Sequence, residues 1–399
     1  MASAILLSGA LASVSFAAES SAADAPAPAR PALTGWAQLP ARTFLPDSGP
    51  SGRELGTAPI NGVAVPFDDQ PVQGFSGMVP NGDGTYTVVS DNGYAYKNNS
   101  ADFLLRVNRV RPDWATGAVE LLDGFFLSDP DSRLPFPLTR ADRILTGADL
   151  DPESIVRVSD GTYWIGDEFG PLLFHVDAAG RVLGEPRALP GVRAPENPYG
   201  EPANVKTSKG LESLTISPDG RYLYPLLEGS VDGDPAGRLR MYEFDLATET
   251  YTDRRWAYQL DRPNFGTADA VAVDTDRLLV IERDNTQGTK AAVKRVYLVD
   301  RRGADGNATM DKRLLVNLLD IANPQLLHGF GETFRFPFQC VEGISLLDDR
   351  TIVVTDDNNL PLSSGRSPGA PDDNEFIRVE LPEPLGADPR LLPQPPARQ

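Results

Sequence analysis

The sequence predicts an all-β fold, and three observations support this prediction. Helical periodicity is hard to find anywhere along the 399 residues. The chain contains 36 glycines and 36 prolines, a composition typical of many short strands joined by tight turns. One pattern, two apolar runs separated by a turn, recurs five times. The five copies occupy 75–93, 152–170, 211–229, 268–285 and 341–359.

Each copy is typical of a β-hairpin, and several are followed by further strand-like segments such as LLFHV at 172–176. Two hairpins per repeat would make a four-stranded sheet. The sequence therefore predicts a β-propeller with five or six blades of four-stranded antiparallel sheets. A sixth blade would combine residues 58–65 with EFIRVEL at 375–381. The alternative, a pair of β-sandwiches, does not explain why the same hairpin returns.

The two ends of the chain differ in composition from its middle. Residues 1–18 form an apolar run followed by small residues and are interpreted as a secretory signal peptide. An Ala/Pro/Ser-rich linker is predicted over 19–40, one β-propeller domain over 41–385, and a Pro-rich tail over 386–399. No other run reaches the roughly 18 apolar residues of a spanning helix. The expectation is a secreted, monomeric protein with no membrane span.

Charge and composition narrow the chemistry. The formal charge of −19 argues against a nucleic-acid partner, which requires a basic face. The single cysteine, Cys340, cannot form an intrachain disulfide and is predicted to be a buried, inert thiol. No G-x-S-x-G nucleophile motif is present. Of the two histidines, His175 is expected in a strand away from any site, and His328 in a loop.

Acidic residues lie at the open end of the hairpins, opposite the turn. Counting symmetrically from each turn pairs Glu153 with Asp167, Glu212 with Glu228, Asp269 with Glu282, and Glu342 with Asp356, whereas the first hairpin pairs Ser76 with Asp91. A propeller would bring these ends to one rim of its channel. Two carboxylates about 4 Å apart repel by about 4 kcal/mol at an effective dielectric near 20, so such a ring must protonate, pair with bases or bind cations. Local turn chemistry explains acids at the Asp-Gly end but not matched acids at the opposite end.

Oxygen ligands favour a hard cation such as Ca²⁺ over zinc. The predicted metal ligands are the paired acids and their acidic or amide neighbours: Glu153, Asp167, Glu168, Glu212, Glu228, Asp269, Glu282, Asp284, Glu342, Asp356, Asp357 and Asn358. Two basic residues, Lys209 and Arg283, stand beside these acids. They would contact an anionic substrate group or form salt bridges that relieve the acidic ring.

Short motifs resemble, in order, those of a known family. They are DPES at 151–154, IGDEFGP at 165–171, KGLESLT at 209–215, VIERDN at 280–285, and VEGI with VTDDNN at 341–344 and 354–359. Together they resemble the phytase-like domain family of bacterial secreted proteins, which is described as having esterase-like activity. The resemblance covers about 75–380. It departs from the pattern at Asp269-Ala270, where the other acidic copies have Glu followed by Ser or Gly.

The resemblance implies a β-propeller whose acidic residues carry phosphoester or phosphodiester hydrolysis. The leading hypothesis is a Ca²⁺-dependent hydrolase acting on a small anionic phosphoester. Glu153 or Glu212 would accept the proton of the attacking water, and Lys209 and Arg283 would stabilise the phosphoryl oxygens. A lactonase-like or carboxylester hydrolase is the alternative enzyme, and a non-catalytic Ca²⁺-stabilised binding protein is the alternative class.

Overall fold

The computed structural model describes residues 29–304, 306 and 308–394, so the predicted signal peptide at 1–18 lies outside the described residues. This part of the chain is all-β, as predicted, and its only helical elements are three 3₁₀ turns. No helix within these ranges is long and apolar enough to cross a membrane. The 3₁₀ turns are Arg53–Leu55, Gly288–Lys290 and Leu327–Gly329, and the strands are β1 (Ala32–Leu39), β2 (Phe75–Pro80), β3 (Tyr86–Ser90), β4 (Arg106–Asp113), β5 (Ala118–Phe126), β6 (Pro152–Arg157), β7 (Tyr163–Asp167), β8 (Leu172–Val176), β9 (Arg187–Ala188), β10 (Leu211–Ile216), β11 (Tyr222–Leu227), β12 (Arg238–Asp245), β13 (Thr250–Gln259), β14 (Gly266–Ala272), β15 (Arg277–Arg283), β16 (Lys294–Asp300), β17 (Asp311–Asn317), β18 (Ile321–Ala322), β19 (Thr333–Phe334), β20 (Cys340–Leu346), β21 (Thr351–Asp357) and β22 (Asn374–Glu380).

Twenty of the 22 strands form five blades of four strands each, and the short strands β18 and β19 pair with each other beside blade 5. Blade 1 contains β2–β5, blade 2 β6–β9, blade 3 β10–β13 and blade 4 β14–β17. Blade 5 contains β20, β21 and β22, and its outermost strand is β1 from the other end of the chain. The first strands of the five blades lie side by side in a closed ring, with β20 next to β2. The protein is therefore a five-bladed propeller.

Strand β1 closes the ring and corrects two of the sequence predictions. Ala32–Leu39 pairs antiparallel with Asn374–Glu380, so two segments far apart in the chain share one sheet. The predicted linker over 19–40 extends too far, because its last third is this strand. The predicted sixth blade is wrong, because β22 belongs to blade 5 and residues 58–65 contribute only the isolated Ile60–Val63 bridge.

The hydrophobic core is divided into five clusters, one at each interface between adjacent blades. Side chains of a β-strand alternate between its two faces. Accordingly, Ile165 of β7 packs toward blade 1 and its neighbour Trp164 packs toward blade 3. Each strand near the channel is thus apolar on both faces, which explains the uninterrupted apolar runs of the repeated hairpins.

The C-terminal segment covers one mouth of the channel. Leu391, Leu392, Pro393 and Gln394 line a cavity of about 320 Å³ together with residues from all five inner strands. The segment is held by the backbone N–H of Asp388, which donates to the carbonyl of Val273 at 2.8 Å. The packed domain therefore extends beyond the predicted limit at 385, and the opposite mouth of the channel is the one that carries the acidic residues.

Candidate active site

A β-bulge interrupts the inner hairpin of every blade at the same level. The pairing register shifts between Phe75 and Gly77, Pro152 and Ser154, Leu211 and Ser213, Thr267 and Ala270, and Val341 and Ile344. A bulge leaves one residue unpaired and re-aims its side chain. In blades 2 and 3 the unpaired residues are Glu153 and Glu212, and in blade 5 Glu342 lies in the bulge.

The bulges displace the predicted carboxylate pairs by one residue. Asp167 is opposite Pro152 rather than Glu153, and Asp356 is opposite Val341 rather than Glu342. The predicted facing pairs are therefore wrong in blades 2, 4 and 5, since counting outward from the turn assumed a ladder with no extra residue. In blade 3, by contrast, the predicted partners Glu212 and Glu228 bring carboxylate oxygens within 4.8 Å of each other. The residue after each displaced partner reaches the rim instead.

The five blades have equivalent rim positions, and only the rim residue of blade 4 is positively charged. The backbone N–H of Glu168 donates to the carbonyl of Asp151 at 2.9 Å, and that of Glu228 donates to Gly210 at 3.0 Å. By the same register the rim positions of the five blades are Asp91, Glu168, Glu228, Arg283 and Asp357. Arg283 thus places a cation where the other four blades place a carboxylate.

The rim residues surround a cavity of about 270 Å³ at the mouth of the channel. Its two cationic residues are Lys209 and Arg283, and its carboxylates are Asp91, Asp151, Glu153, Glu168, Glu212, Glu228, Glu342 and Asp357. Six of the twelve predicted ligands and all four predicted catalytic residues therefore meet in one place. Asp91 and Asp151 were not among the predicted ligands, although Asp91 is the acid of the first hairpin and Asp151 begins the DPES motif.

Two groups of three carboxylates have the geometry of a metal site. Asp151, Glu153 and Glu168 bring ligand oxygens within 4.8 Å of one another, and so do Glu168, Glu212 and Glu228. Glu168 belongs to both groups. All donors are carboxylate oxygens, the ligands that Ca²⁺ prefers in proteins. The residues present therefore fit a hard cation.

The two cations occupy one side of the cavity. Arg283 lies 2.9 Å from a carboxylate oxygen of Glu342, 3.5 Å from Glu212 and 3.7 Å from Glu228. Lys209 forms an ion pair with Glu228. Asp151, Glu153 and Glu168 form no salt bridge with any of the described residues, although Lys209 is near enough to Glu168 to act against the rise of its pKa.

Burial and mutual repulsion perturb the pKa values of these acids. Burial first, and then neighbouring carboxylates, raise the pKa of Glu153, Glu168 and Glu212 well above the ordinary value. The same causes raise the pKa of Asp357 to about 7, with a backbone hydrogen bond acting against them. Glu228 differs: burial raises its pKa, but Lys209 and Arg283 outweigh burial and hold that pKa below its usual value. Among the eight carboxylates of the cavity, Glu228 is therefore the one whose pKa is lowered, and the pKa values of the other seven are raised.

Three predicted ligands lie outside the cavity because they hold the backbone. Asp167 accepts the backbone N–H groups of Asp151 at 2.8 Å and Gly170 at 2.6 Å. Asp356 accepts the backbone N–H of Glu375 at 2.6 Å. Asn358 donates to the carbonyl of Asp372 at 3.0 Å. These side chains point toward the loops that support the rim.

The other three lie in blade 4 or beside it. Asp269 lines the cavity at the opposite end of the channel. Glu282 is fully buried between blades 3 and 4, where it accepts the Tyr258 hydroxyl at 2.7 Å. Asp284 forms an ion pair at 3.0 Å with Lys294, whose side chain is fully buried. The one-residue displacement of the ladder accounts for Glu282, because Arg283 takes the rim position.

The cysteine and the two histidines were the remaining residues considered in the sequence. Cys340 is partly buried and lines the cavity, and burial raises the pKa of its thiol well above the ordinary value. His175 lies in β8 and stacks on Trp164 at 4.6 Å, away from the rim as predicted. His328 packs on Trp36 at 4.6 Å, outside the cavity.

The fold and the rim define a class of protein: a closed five-bladed propeller with a carboxylate-lined site at one mouth of its channel. A family model described as "Phytase-like: Esterase-like activity of phytase" matches residues 70–360. The chain belongs to this family. The match includes all eight carboxylates and both cations of the cavity and supports a hydrolase activity.

Individual relatives are more distant. An "Uncharacterized secreted protein" from Arthroderma benhamiae is 28% identical over an alignment that covers 33% of this chain and 36% of the relative, so the chain spans about a third of that protein's length. A protein of unknown function from Dyadobacter fermentans is 11% identical, with 88% of this chain and 100% of that chain covered and a TM-score of 0.45. A PQQ-bound aldose sugar dehydrogenase from Streptomyces coelicolor is also 11% identical, with coverage of 89% and 99% and a TM-score of 0.33.

Replacing Arg283 by Gln is expected to destabilise the metal-free protein at pH 8 by about 3–5 kcal/mol. Removing one partner of a buried ion pair leaves uncompensated charge. Here Glu212 and Glu342 lose their cation, and Glu228 keeps only Lys209. Denaturant unfolding followed by circular dichroism measures the effect. The Arg283→Lys variant keeps the positive charge and is expected to lose less. An unchanged unfolding free energy in Arg283→Gln would show that these ion pairs contribute nothing.

Proposed function

We propose that the protein is a secreted, Ca²⁺-dependent phosphoric ester hydrolase. One observation carries the proposal: two carboxylate groups that share Glu168 lie in the same cavity as Lys209 and Arg283. Carboxylates bind a hard cation and the two basic side chains attract an anion, so the cavity suits a metal ion together with a phosphate group. Family membership supports the hydrolase part of the proposal.

The metal would be held by Asp151, Glu153, Glu168, Glu212 and Glu228. A bound Ca²⁺ would neutralise charge on the phosphoryl oxygens and lower the pKa of the attacking water. Glu168 and Glu212 are almost fully buried. Ionising a buried carboxylate that has no partner costs free energy. Cation binding relieves that cost. The repulsion between the crowded carboxylates therefore increases the affinity of the site for a cation.

The chain's own residues divide the remaining work. Glu153 is the partly exposed member of its group, so it can accept the proton of the attacking water. Glu212 contacts Arg283 and helps to position its guanidinium. Arg283 and Lys209 would donate hydrogen bonds to the phosphoryl oxygens as negative charge develops there. Both cations are held by carboxylates in advance, so little reorganisation is needed during the reaction.

Location and partners follow from the same proposal. The apolar run at 1–18 supports secretion, and so does the name of the Arthroderma relative. The cavity of about 270 Å³ has room for a small anionic ester rather than a macromolecule. We propose a monomer, with neither a nucleic-acid partner nor a membrane span.

A substrate panel tests the proposed function. The purified protein is assayed on a phosphomonoester, a phosphodiester, a lactone and a carboxylester, each with Ca²⁺ and with a chelator. We expect turnover of one or both phosphoesters, lost with the chelator and restored by Ca²⁺. Turnover that persists in the chelator would exclude the metal-carboxylate mechanism.

The other outcomes identify the alternatives. Ca²⁺-dependent turnover of the lactone or the carboxylester alone would indicate the same metal chemistry on another ester. No turnover on any substrate, with a melting temperature that still rises in Ca²⁺, would indicate a Ca²⁺-stabilised binding protein.

A further inference from the structure

A second cavity of about 290 Å³ opens directly beside the carboxylate cavity, at the boundary of blades 3 and 4. Lys209, Glu228 and Asn285 line both cavities. A ligand bound through Lys209 in the first cavity can therefore extend into the second without leaving the protein surface. None of the proposed metal ligands except Glu228 faces this second space, so its chemistry is different.

The outer wall of the second cavity is mostly apolar, with Asn264 as its polar member. It is formed by the segment 260–265 between β13 and β14, with Leu260 buried, Phe265 half-buried and Pro263 exposed. Apolar side chains beside a strongly charged site are not required to hold a metal or a phosphate. They suit a ligand group that leaves water on binding.

The start of this wall, at Asp261, is anchored by hydrogen bonds and ion pairs that involve Glu282. The backbone N–H of Asp261 donates to a carboxylate oxygen of Glu282 at 2.7 Å. The Asp261 carboxylate in turn accepts the Tyr297 hydroxyl at 2.5 Å and lies 2.8 Å from Lys312. Lys312 also contacts Glu282 at 2.6 Å. A binding wall held in advance loses little entropy when a ligand docks.

A cation stands at the edge of the second cavity without a carboxylate partner. Lys206 lines it, is exposed, and forms no salt bridge with any residue of the described ranges. Lys209, by contrast, is already paired with Glu228. Lys206 is therefore available to an anionic group that a ligand brings to this edge.

We propose that the second cavity binds the alcohol part of the ester, and that this part is an aromatic ring carrying an anionic substituent. The inference rests on the proposed function. The ring would pack against Leu260, Pro263 and Phe265, and its substituent would pair with Lys206. In hydrolysis the water oxygen forms a bond to phosphorus, the bond between phosphorus and the aryl oxygen breaks, and the aromatic alcohol leaves with a proton from the water.

The test compares three substrates in three proteins. We measure kcat/KM for 4-carboxyphenyl phosphate, phenyl phosphate and ethyl phosphate in the wild type, Phe265→Ala and Lys206→Met. Phe265→Ala is expected to lower kcat/KM about tenfold for both aryl esters, through KM, and to leave ethyl phosphate within about twofold. Lys206→Met is expected to lower only the value for 4-carboxyphenyl phosphate, by about three- to tenfold.

The comparison of substrates within one variant controls for misfolding, because a folding defect lowers all three values equally. Equal losses on all three substrates, or no loss, would overturn the inference while leaving the hydrolase intact. If the wild type hydrolyses none of them and also fails on the phosphodiester of the substrate panel, the proposed function fails. In either case calorimetry with 4-hydroxybenzoate then tests the second cavity alone. Binding by the wild type that both variants lose would support the subsite; no binding by the wild type would overturn it.

Discussion

Glu168→Gln is expected to lower Ca²⁺-dependent turnover by at least about 10²-fold and to remove the rise in melting temperature that Ca²⁺ produces. Glu168 is the one residue common to both carboxylate groups, so its substitution removes a ligand oxygen from each. The change keeps the size and shape of the side chain, so the fold should survive. Activity at saturating Ca²⁺ and thermal unfolding with and without Ca²⁺ measure the two effects.

Glu120→Gln is the matched control. The same Glu-to-Gln substitution is made here on the exposed face of β5. Among the described residues, Glu120 forms an ion pair only with the exposed Arg111. Exposed pairs of this kind contribute little, so activity and the Ca²⁺ effect should match the wild type. Wild-type Ca²⁺ stabilisation in Glu168→Gln would contradict the proposed metal site.

The metal-free protein is expected to be less stable at pH 8 than at pH 5, and Ca²⁺ is expected to reduce or abolish this difference. Burial raises the pKa of Asp151 to about 6 and that of Asp357 to about 7, from an ordinary value of 3.8. A carboxyl with a raised folded-state pKa stabilises the fold at low pH, and that contribution is lost as pH rises from about 4 through the folded-state pKa. A shift of two to three units is worth on the order of 3 kcal/mol at 1.36 kcal/mol per unit.

Differential scanning calorimetry at the two pH values measures this effect. With an unfolding entropy of about 2 cal/mol/K per residue, 3 kcal/mol corresponds to about 4 °C in a domain of this size. Ca²⁺ favours the ionised carboxylates, so its stabilising increment should grow between pH 5 and pH 8. Titrating groups remote from the cavity, such as His175, contribute equally with and without Ca²⁺. Their contribution to the pH dependence therefore cancels when the two conditions are compared. A metal-free protein that is equally stable or more stable at pH 8 would refute the assignment of these raised pKa values.

The repeated hairpins made most of the fold predictable. Each hairpin is encoded locally, by two apolar runs and an Asp-Gly or similar turn, so its five copies identified the inner pair of strands in all five blades. Closure was different. Ala32–Leu39 joins blade 5 by pairing with a strand more than 300 residues away in the chain, and no local pattern distinguishes this strand from a linker.

Half of the predicted ligands entered the cavity, and the bulge explains why Asp167, Glu282 and Asp356 did not. Glu153 and Glu212 were found because they precede apolar runs at the same place in each repeat. Asp356 and Glu282 were predicted from symmetric counting, which fails when one strand carries an extra residue. A count displaced by one would have selected Asp357 and Arg283 as the rim residues of their blades.

The sequence by itself determined the number of inner hairpins, the all-oxygen character of the site and the rim to which the acids belong, because these depend on residue type and repetition along the chain. Tertiary structure decided which acids face one another, that Glu168 is shared by two groups, and that Arg283 replaces an acid in blade 4. Those outcomes depend on strand register and on the approach of separate blades. Neither quantity is a property of any one segment of the chain.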